Sequence, residues 1–219
     1  MITVFQHGIG EPPGCIPDIL EKKGLPYEII RPYAGDAVPK RTDSSHYIFL
    51  GGLMSVNDEE HYPWLVREKM LIRAAISSDI PVFGICLGAQ LIASSFSREV
   101  RRCKEEKGWT IIRKCDRSDI KMVKDGIAVF EWHGECLDLP EGSSLIYKGD
   151  TITNQMFSFG SSIGVQFHPE VTESIIRGWI ADEPPHLQDK ILSELSLYIG
   201  QSQELCGEIL DRFIQRGVT

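Results

Sequence analysis

The residues of this chain whose types and spacing can do chemistry fall at three places. The first is Gly84-Ile85-Cys86-Leu87-Gly88, a G-x-C-x-G run set inside the apolar stretch from Pro81 to Ala93. Glycine on either side of the cysteine removes Cβ bulk, which a sharp strand-to-helix turn needs if it is to push a nucleophile out of a sheet. A thiol on such a turn also lies at a helix N-terminus, where free N–H groups and the helix dipole favour the thiolate. A cysteine in this setting can equally be a small buried residue in a tight β-to-α turn, so the other two places decide the reading. They are Gly51-Gly52 and His168-Pro169-Glu170. A cysteine nucleophile requires a base to take its proton, and a histidine base requires an acceptor on its second nitrogen. His168 and Glu170 supply the two roles. The tetrahedral oxyanion requires backbone donors, for which the N–H of Leu87 and one in the Gly51-Gly52 turn are the candidates. The chemistry this describes is acyl transfer through a thiol.

Each of these residues must stand at the end of a strand. Ile2 to His7 is expected to be a buried strand, followed by a loop over residues 8–14, a helix carrying Ile16, Ile19 and Leu20, and a second strand over Tyr27 to Ile30. His46 to Leu50 gives a third strand that stops at Gly51-Gly52, and residues 51–58 form a loop at its carboxyl end, where open α/β sheets place their crevices. Residues 62–78 form an amphipathic helix, and Pro81 to Ile85 with the helix after Cys86, running to about Phe96, completes a second β-α unit. The alternation predicts a mainly parallel sheet with helices on both faces. Beyond Ser97 short strands are expected at 100–102, 109–113, 120–123, 128–132, 144–147 and 157–159, adding antiparallel pairs to one edge. Ile163 to Phe167 is the last strand, ended by Pro169. A helix to about Ala181 follows, then a break at Pro184-Pro185 and two terminal helices over 187–199 and 203–215. His46, His61 and His186 are expected to be structural.

At 219 residues the chain is long enough for one full-sized core and short for two, and no linker separates it, so a single domain over 1–219 is expected. The formal net charge of −8 gives the surface no general attraction for nucleic acid or anionic lipid. The basic residues Arg98, Arg101, Arg102 and Lys104 are interleaved with Glu99, Glu105 and Glu106, which reads as a solvated face. Apolar runs are strand-sized, far short of the roughly 20 residues of a membrane span. No leader is visible ahead of the first strand, so the cytoplasm is the expected location. The six cysteines show no C-x-x-C pair and no histidine at zinc-ligand spacing, so neither a disulfide framework nor a metal is expected, and no cofactor.

Gly84-Ile85-Cys86-Leu87-Gly88-Ala89-Gln90 together with Gly164-Val165-Gln166-Phe167-His168-Pro169-Glu170 resembles the triad, or class I, glutamine amidotransferases. Residues 51–58 and Glu131-Trp132-His133-Gly134-Glu135 bring it closer to the stand-alone branch that is similar to the glutaminase domain of GMP synthase. The resemblance implies a three-layer αβα sandwich of flavodoxin-like type, with antiparallel strands added to a mainly parallel sheet. It implies that Cys86 forms a γ-glutamyl thioester with His168 and Glu170 completing the triad, and that Gly52 and Leu87 form the oxyanion hole. Gly51, Gln90 and the Trp132-His133-Gly134 segment would help seat the glutamyl group. Leu53 stands where the branch usually has proline, and Glu135-Cys136 where aspartate-threonine is common.

The expected activity is hydrolysis of the γ-amide of glutamine to glutamate and ammonia. The chain carries no phosphate-loop signature, so an ammonia-accepting synthetase would be a separate protein. A γ-glutamyl peptidase with the same triad is the alternative enzyme, and a non-catalytic binding or regulatory protein on the same fold is the alternative of another class.

Overall fold

The strands over Ile2–Phe5, His46–Phe49 and Val82–Ile85 are short and fully buried, and the helix over Trp64–Ser77 turns an apolar stripe toward them. A computed structural model describes residues 1–40, 42–115, 118 and 120–216. In chain order the elements are β1 (Ile2–Phe5), α1 (Ile16–Lys22), β2 (Tyr27–Ile30), a 3₁₀ turn (Pro32–Ala34), β3 (His46–Phe49), α2 (Trp64–Ser77), β4 (Val82–Ile85) and α3 (Leu87–Ser95). They continue with β5 (Val100–Lys114), β6 (Ile127–Leu137), β7 (Ser144–Lys148), β8 (Met156–Phe159), β9 (Ser162–Val165), α4 (Glu173–Trp179) and α5 (Pro185–Gln215).

The strands form one nine-stranded sheet in the order β2-β1-β3-β4-β9-β8-β7-β5-β6. The first five are parallel neighbours, with β9 in the fifth place, and the rest pair antiparallel. This is the flavodoxin-like order with an antiparallel extension, and it turns back on itself between β1 and β3. The carboxyl ends of β1, β3, β4 and β9 therefore lie side by side.

Alternation along the strands divides the core in two. Ile2 and Val4 of β1, Ile48 of β3 and Phe83 of β4 pack against Ile16, Leu20, Leu205, Ile209 and Phe213 on one face. Phe5, Tyr47, Phe49 and Val82 pack against Leu65, Ile72, Leu91 and Ile92 on the other. A third cluster joins Trp109 and Phe130 to Ile176, Ile191 and Leu195.

Three expectations are corrected. The strands at 100–102 and 109–113 are one, β5, because its pairing with β6 continues through a register shift between Arg102 and Glu106. Residues 120–123 are not a strand, although Ile120 and Met122 are buried. The two terminal helices are the single 31-residue α5, since Gly200 costs an interior helix only about 1 kcal/mol against alanine and the two apolar stripes serve different clusters along one rod. His46 is structural as expected, its Nδ1 at 3.0 Å from Ser45 Oγ and its Nε2 at 3.1 Å from the Ile214 carbonyl.

The contact between α3 and the sheet rests on Gly88. A Cβ there would stand 2.0 Å from the Phe49 carbonyl oxygen, a backbone atom that cannot turn aside. Gly88→Ala is expected to force α3 off β3 and destabilise the fold by about 1–3 kcal/mol, the usual range for overpacking. Gly200→Ala, where a Cβ meets nothing within 4 Å, is expected to be neutral or slightly stabilising. Urea denaturation of the two variants, read against the parent, measures the contrast.

Candidate active site

Cys86 occupies the single residue between β4 and α3, with φ 49° and ψ −103°. This is a strained backbone conformation for a residue with a Cβ, and it persists only where the surroundings impose it. The imposing contacts are visible. The Cys86 N–H donates to the Val165 carbonyl at 2.8 Å, and a Cβ on Gly84 would lie 2.4 Å from the Gly88 carbonyl carbon and oxygen. The cysteine is 6% exposed, and Leu87 begins α3, where backbone N–H groups have no intrahelical acceptor.

His168 lies just past β9. Its N–H donates to the Phe130 carbonyl at 2.8 Å, which ties it to β6, and its Nδ1–H donates to Glu170 Oε1 at 2.8 Å. Pro169 stands between the two residues, in a turn just past the strand. The Glu170 carbonyl accepts the Cys15 N–H at 2.9 Å, and Gly14 lies so close that a Cβ on it would be 1.8 Å from that oxygen. Trp179 packs edge-on to the imidazole with ring centroids 4.8 Å apart. Nε2 of His168 is buried with no nitrogen or oxygen partner among the described residues. Burial disfavours the charged ring, but the Glu170 carboxylate and the Cys86 sulfur more than offset it and hold its pKa well above the ordinary histidine value.

Gly51 and Gly52 close the arrangement. A Cβ on Gly51 would come within 2.8 Å of His168 Cε1 and 3.8 Å of Cys86 Cβ, so this glycine touches both. A Cβ on Gly52 would be 2.6 Å from Leu87 Cδ2. The three strand ends singled out in the sequence thus converge.

The remaining residues named in the sequence surround this centre in different ways. Gln90, nearly buried on α3, donates from Nε2 to the Glu135 carbonyl at 3.2 Å and so ties α3 to β6. Trp132 stacks on Phe130 with centroids 5.9 Å apart, and its neighbour Trp179 is the residue that meets His168. Gly134 lies against the Glu105 side chain. His133 points to the opposite side of β6 from Trp132, its Nε2 at 3.0 Å from Glu131 Oε2 and 3.4 Å from Glu106 Oε2. Burial opposes charge on His133, yet these two carboxylates raise its pKa to about 10.

Glu106, Glu131 and His133 bring one ligand atom each within 4.8 Å of one another, a spacing that can hold a metal ion. Thr110 Oγ1 donates to Glu131 at 3.3 Å and Gln155 Nε2 to Glu106 at 3.3 Å.

Several residues at the site carried no sequence signal. Glu106 sits in a charged run and is buried, because the register shift in β5 turns it inward beside His133. Gln166 donates from Nε2 to Cys86 Sγ at 3.7 Å, a contact that its place in the Gly164 to Glu170 run did not indicate. Glu11 is buried and feels the charge of both His7 and His168. Burial raises its pKa, and the two imidazoles ease the shift.

The parallel half of the sheet thus carries a strained cysteine at one strand end and a hydrogen-bonded histidine–carboxylate pair at the next. The family model for glutamine amidotransferase class-I matches residues 16–178, and the chain belongs to that family. A glutamine amidotransferase from Methylobacillus flagellatus superposes with a TM-score of 0.89 at 26% identity, covering 100% of this chain and 95% of that one. A glutamine amidotransferase-like protein of Acanthamoeba polyphaga mimivirus is 28% identical over 186 residues, 81% of this chain and 80% of its own length. A glutamine-hydrolyzing GMP synthase subunit from Thermococcus kodakarensis is 37% identical over 101 residues, 44% of this chain and 54% of its own length. Among the described residues no helix is long and apolar enough to cross a membrane.

Proposed function

We propose that this chain, acting as one domain in the cytoplasm, hydrolyses the γ-amide of glutamine through a thioester on Cys86. The observation that carries the reading is the strained elbow of Cys86 beside a buried His168 whose Nδ1 is held by Glu170 at 2.8 Å. In this reading Cys86 Sγ attacks the γ-carbonyl, forming the S–C bond. The oxyanion is received by the N–H groups of Leu87 and Gly52, which their packing against each other supports. His168 gives the thiol proton to the departing nitrogen, so ammonia leaves as the C–N bond breaks. Water then attacks the thioester with His168 accepting its proton, the C–S bond breaks, glutamate leaves, and His168 returns the proton to the Cys86 sulfur. Glu170 keeps the ring in the required tautomer throughout. In this reading Gly51, Gln90 and the Trp132-His133-Gly134 segment help seat the glutamyl group, which is supported by the ties of β6 to both His168 and Gln90. Similarity to part of a GMP synthase supports an ammonia-accepting synthetase as a separate partner.

The test is a screen of γ-glutamyl donors with detection of the released amine, alongside labelling by a glutamine-like chloroketone. Ammonia release from glutamine with stoichiometric label on Cys86 is the expected result. Rapid cleavage of γ-glutamyl dipeptides, at about 1 per second or faster, with glutamine ignored would replace this reading by a peptidase. Absence of both label and turnover would leave a binding protein.

A further inference from the structure

His7 and Glu68 are buried side chains that the thioester chemistry does not use. His7 lies two residues past the end of β1, and Gly51 two residues past the end of β3, so they meet where the strand order turns back. The His7 side chain is fully enclosed, with Nδ1 at 3.1 Å from the Gly51 carbonyl and Nε2 at 3.2 Å from Glu68 Oε2. Glu68 stands on the inward face of α2 among Leu65, Leu71 and Ile72, where an apolar residue would cost nothing to bury. A buried ion pair contributes little net stability compared with well-packed apolar side chains of the same volume.

Proton positions at the pair follow from its partners. A carbonyl only accepts, so Nδ1 carries a hydrogen. Nε2 faces a carboxylate, and two sets of lone pairs would repel, so a proton lies between them as well. Burial works against charge on His7, but Glu68 and the Gly51 and Leu50 carbonyls outweigh it and raise its pKa. Glu11, which also senses His7, adds a further acid on that side.

In a trans peptide the C=O and the following N–H point in opposite directions. A Gly-Gly peptide has little steric preference of its own and turns over easily. A hydrogen bond that holds the Gly51 oxygen on the His7 side therefore sends the Gly52 N–H the other way. We propose that His7, held by Glu68, is a positioning residue that anchors the Gly51–Gly52 peptide and aims the Gly52 N–H at the oxyanion in the resting protein, without a partner. The His7 side chain lies against this peptide, since a Cβ on Gly52 would be 3.0 Å from His7 Cβ.

The inference rests on Cys86 being the nucleophile, but its test requires no γ-glutamyl substrate. Acylation of Cys86 by p-nitrophenyl acetate forms an S–C bond and expels p-nitrophenolate through an oxyanion. Alkylation by iodoacetamide, read at the Cys86 peptide, expels iodide and forms no oxyanion. The double variant His7→Leu/Glu68→Met removes both charges together, so no carboxylate is left stranded. It is expected to melt at or above the parent's temperature, to alkylate within about twofold of the parent, and to acylate about 10–100-fold more slowly, the scale of one lost oxyanion donor. His7→Asn, whose amide nitrogen can stand near Nδ1, is expected to acylate within about fivefold of the parent.

Acylation by the double variant within about threefold of the parent would overturn the proposal. So would acylation and alkylation falling in step, or a parent that alkylates but does not acylate. If the double variant fails to fold, the single variants decide: His7→Gln, whose amide stands on the Nε2 side and not near the Gly51 carbonyl, acylating at least about tenfold slower than His7→Asn with alkylation alike upholds the proposal, and equal acylation by the two overturns it. A failure of the glutamine screen alone bears on the donor and leaves these outcomes as they are.

Discussion

Cys86→Ser is expected to fold like the parent and to lose γ-glutamyl turnover by about three orders of magnitude or more. The fold should survive because the elbow is imposed by groups other than the sulfur. The backbone N–H of Cys86 is held by Val165 at 2.8 Å, and the close approach of Gly84 to Gly88 fixes the turn whichever small side chain it carries. Turnover should fall because a serine hydroxyl is far less ionised than a thiol at neutral pH and far less nucleophilic before its proton is removed. Steady-state ammonia release by purified variant and parent, with matched unfolding curves, makes the comparison. Retention of more than about a tenth of parental activity would place the nucleophile elsewhere.

His168→Ala and Glu170→Gln are expected to separate by role. The alanine variant loses both the base and the acid that follows it, so thioester formation should fall by several orders of magnitude. The glutamine variant retains an acceptor oxygen for Nδ1–H and should keep measurable activity. It should also move the pH profile in a defined direction. The Glu170 carboxylate contributes to holding the His168 pKa above its ordinary value, so removing its charge lets that pKa fall. The imidazolium is then lost at lower pH, and the alkaline limb of kcat/KM shifts downward. Single-turnover rates across pH for the three proteins check both statements. Small and equal effects of both changes would direct attention to His133, the other buried imidazole that senses the Cys86 sulfur.

Local rules made much of this legible from residues alone. A G-x-C-x-G run after a short apolar strand admits few conformations, because the turn requires close backbone approach at both glycines, and the distances at Gly84 and Gly88 are the steric reason. Proline at 169 had to end a ladder, and the β-α alternation up to α3 had to give parallel neighbours with right-handed crossovers. The placement of Cys86, Gly51 and His168 at neighbouring strand ends follows from those constraints.

What the sequence by itself determined about this protein is therefore its periodic and sterically forced parts: the parallel half of the sheet, the elbow and the strand ends that meet there. Tertiary structure alone decided which polar residues are buried. Glu68 looks like one more acid on an amphipathic helix, and becomes interior only because His7, 61 residues away in the chain, lies opposite it. Glu106 belongs to a charged run until the bulge in β5 turns it toward His133. The single rod of α5 likewise depends on two separate clusters lying in line beneath it. Propensity and periodicity are properties of neighbours along the chain, whereas the cost of burying a charge is set by the group across from it, and that group is known only once the chain has folded.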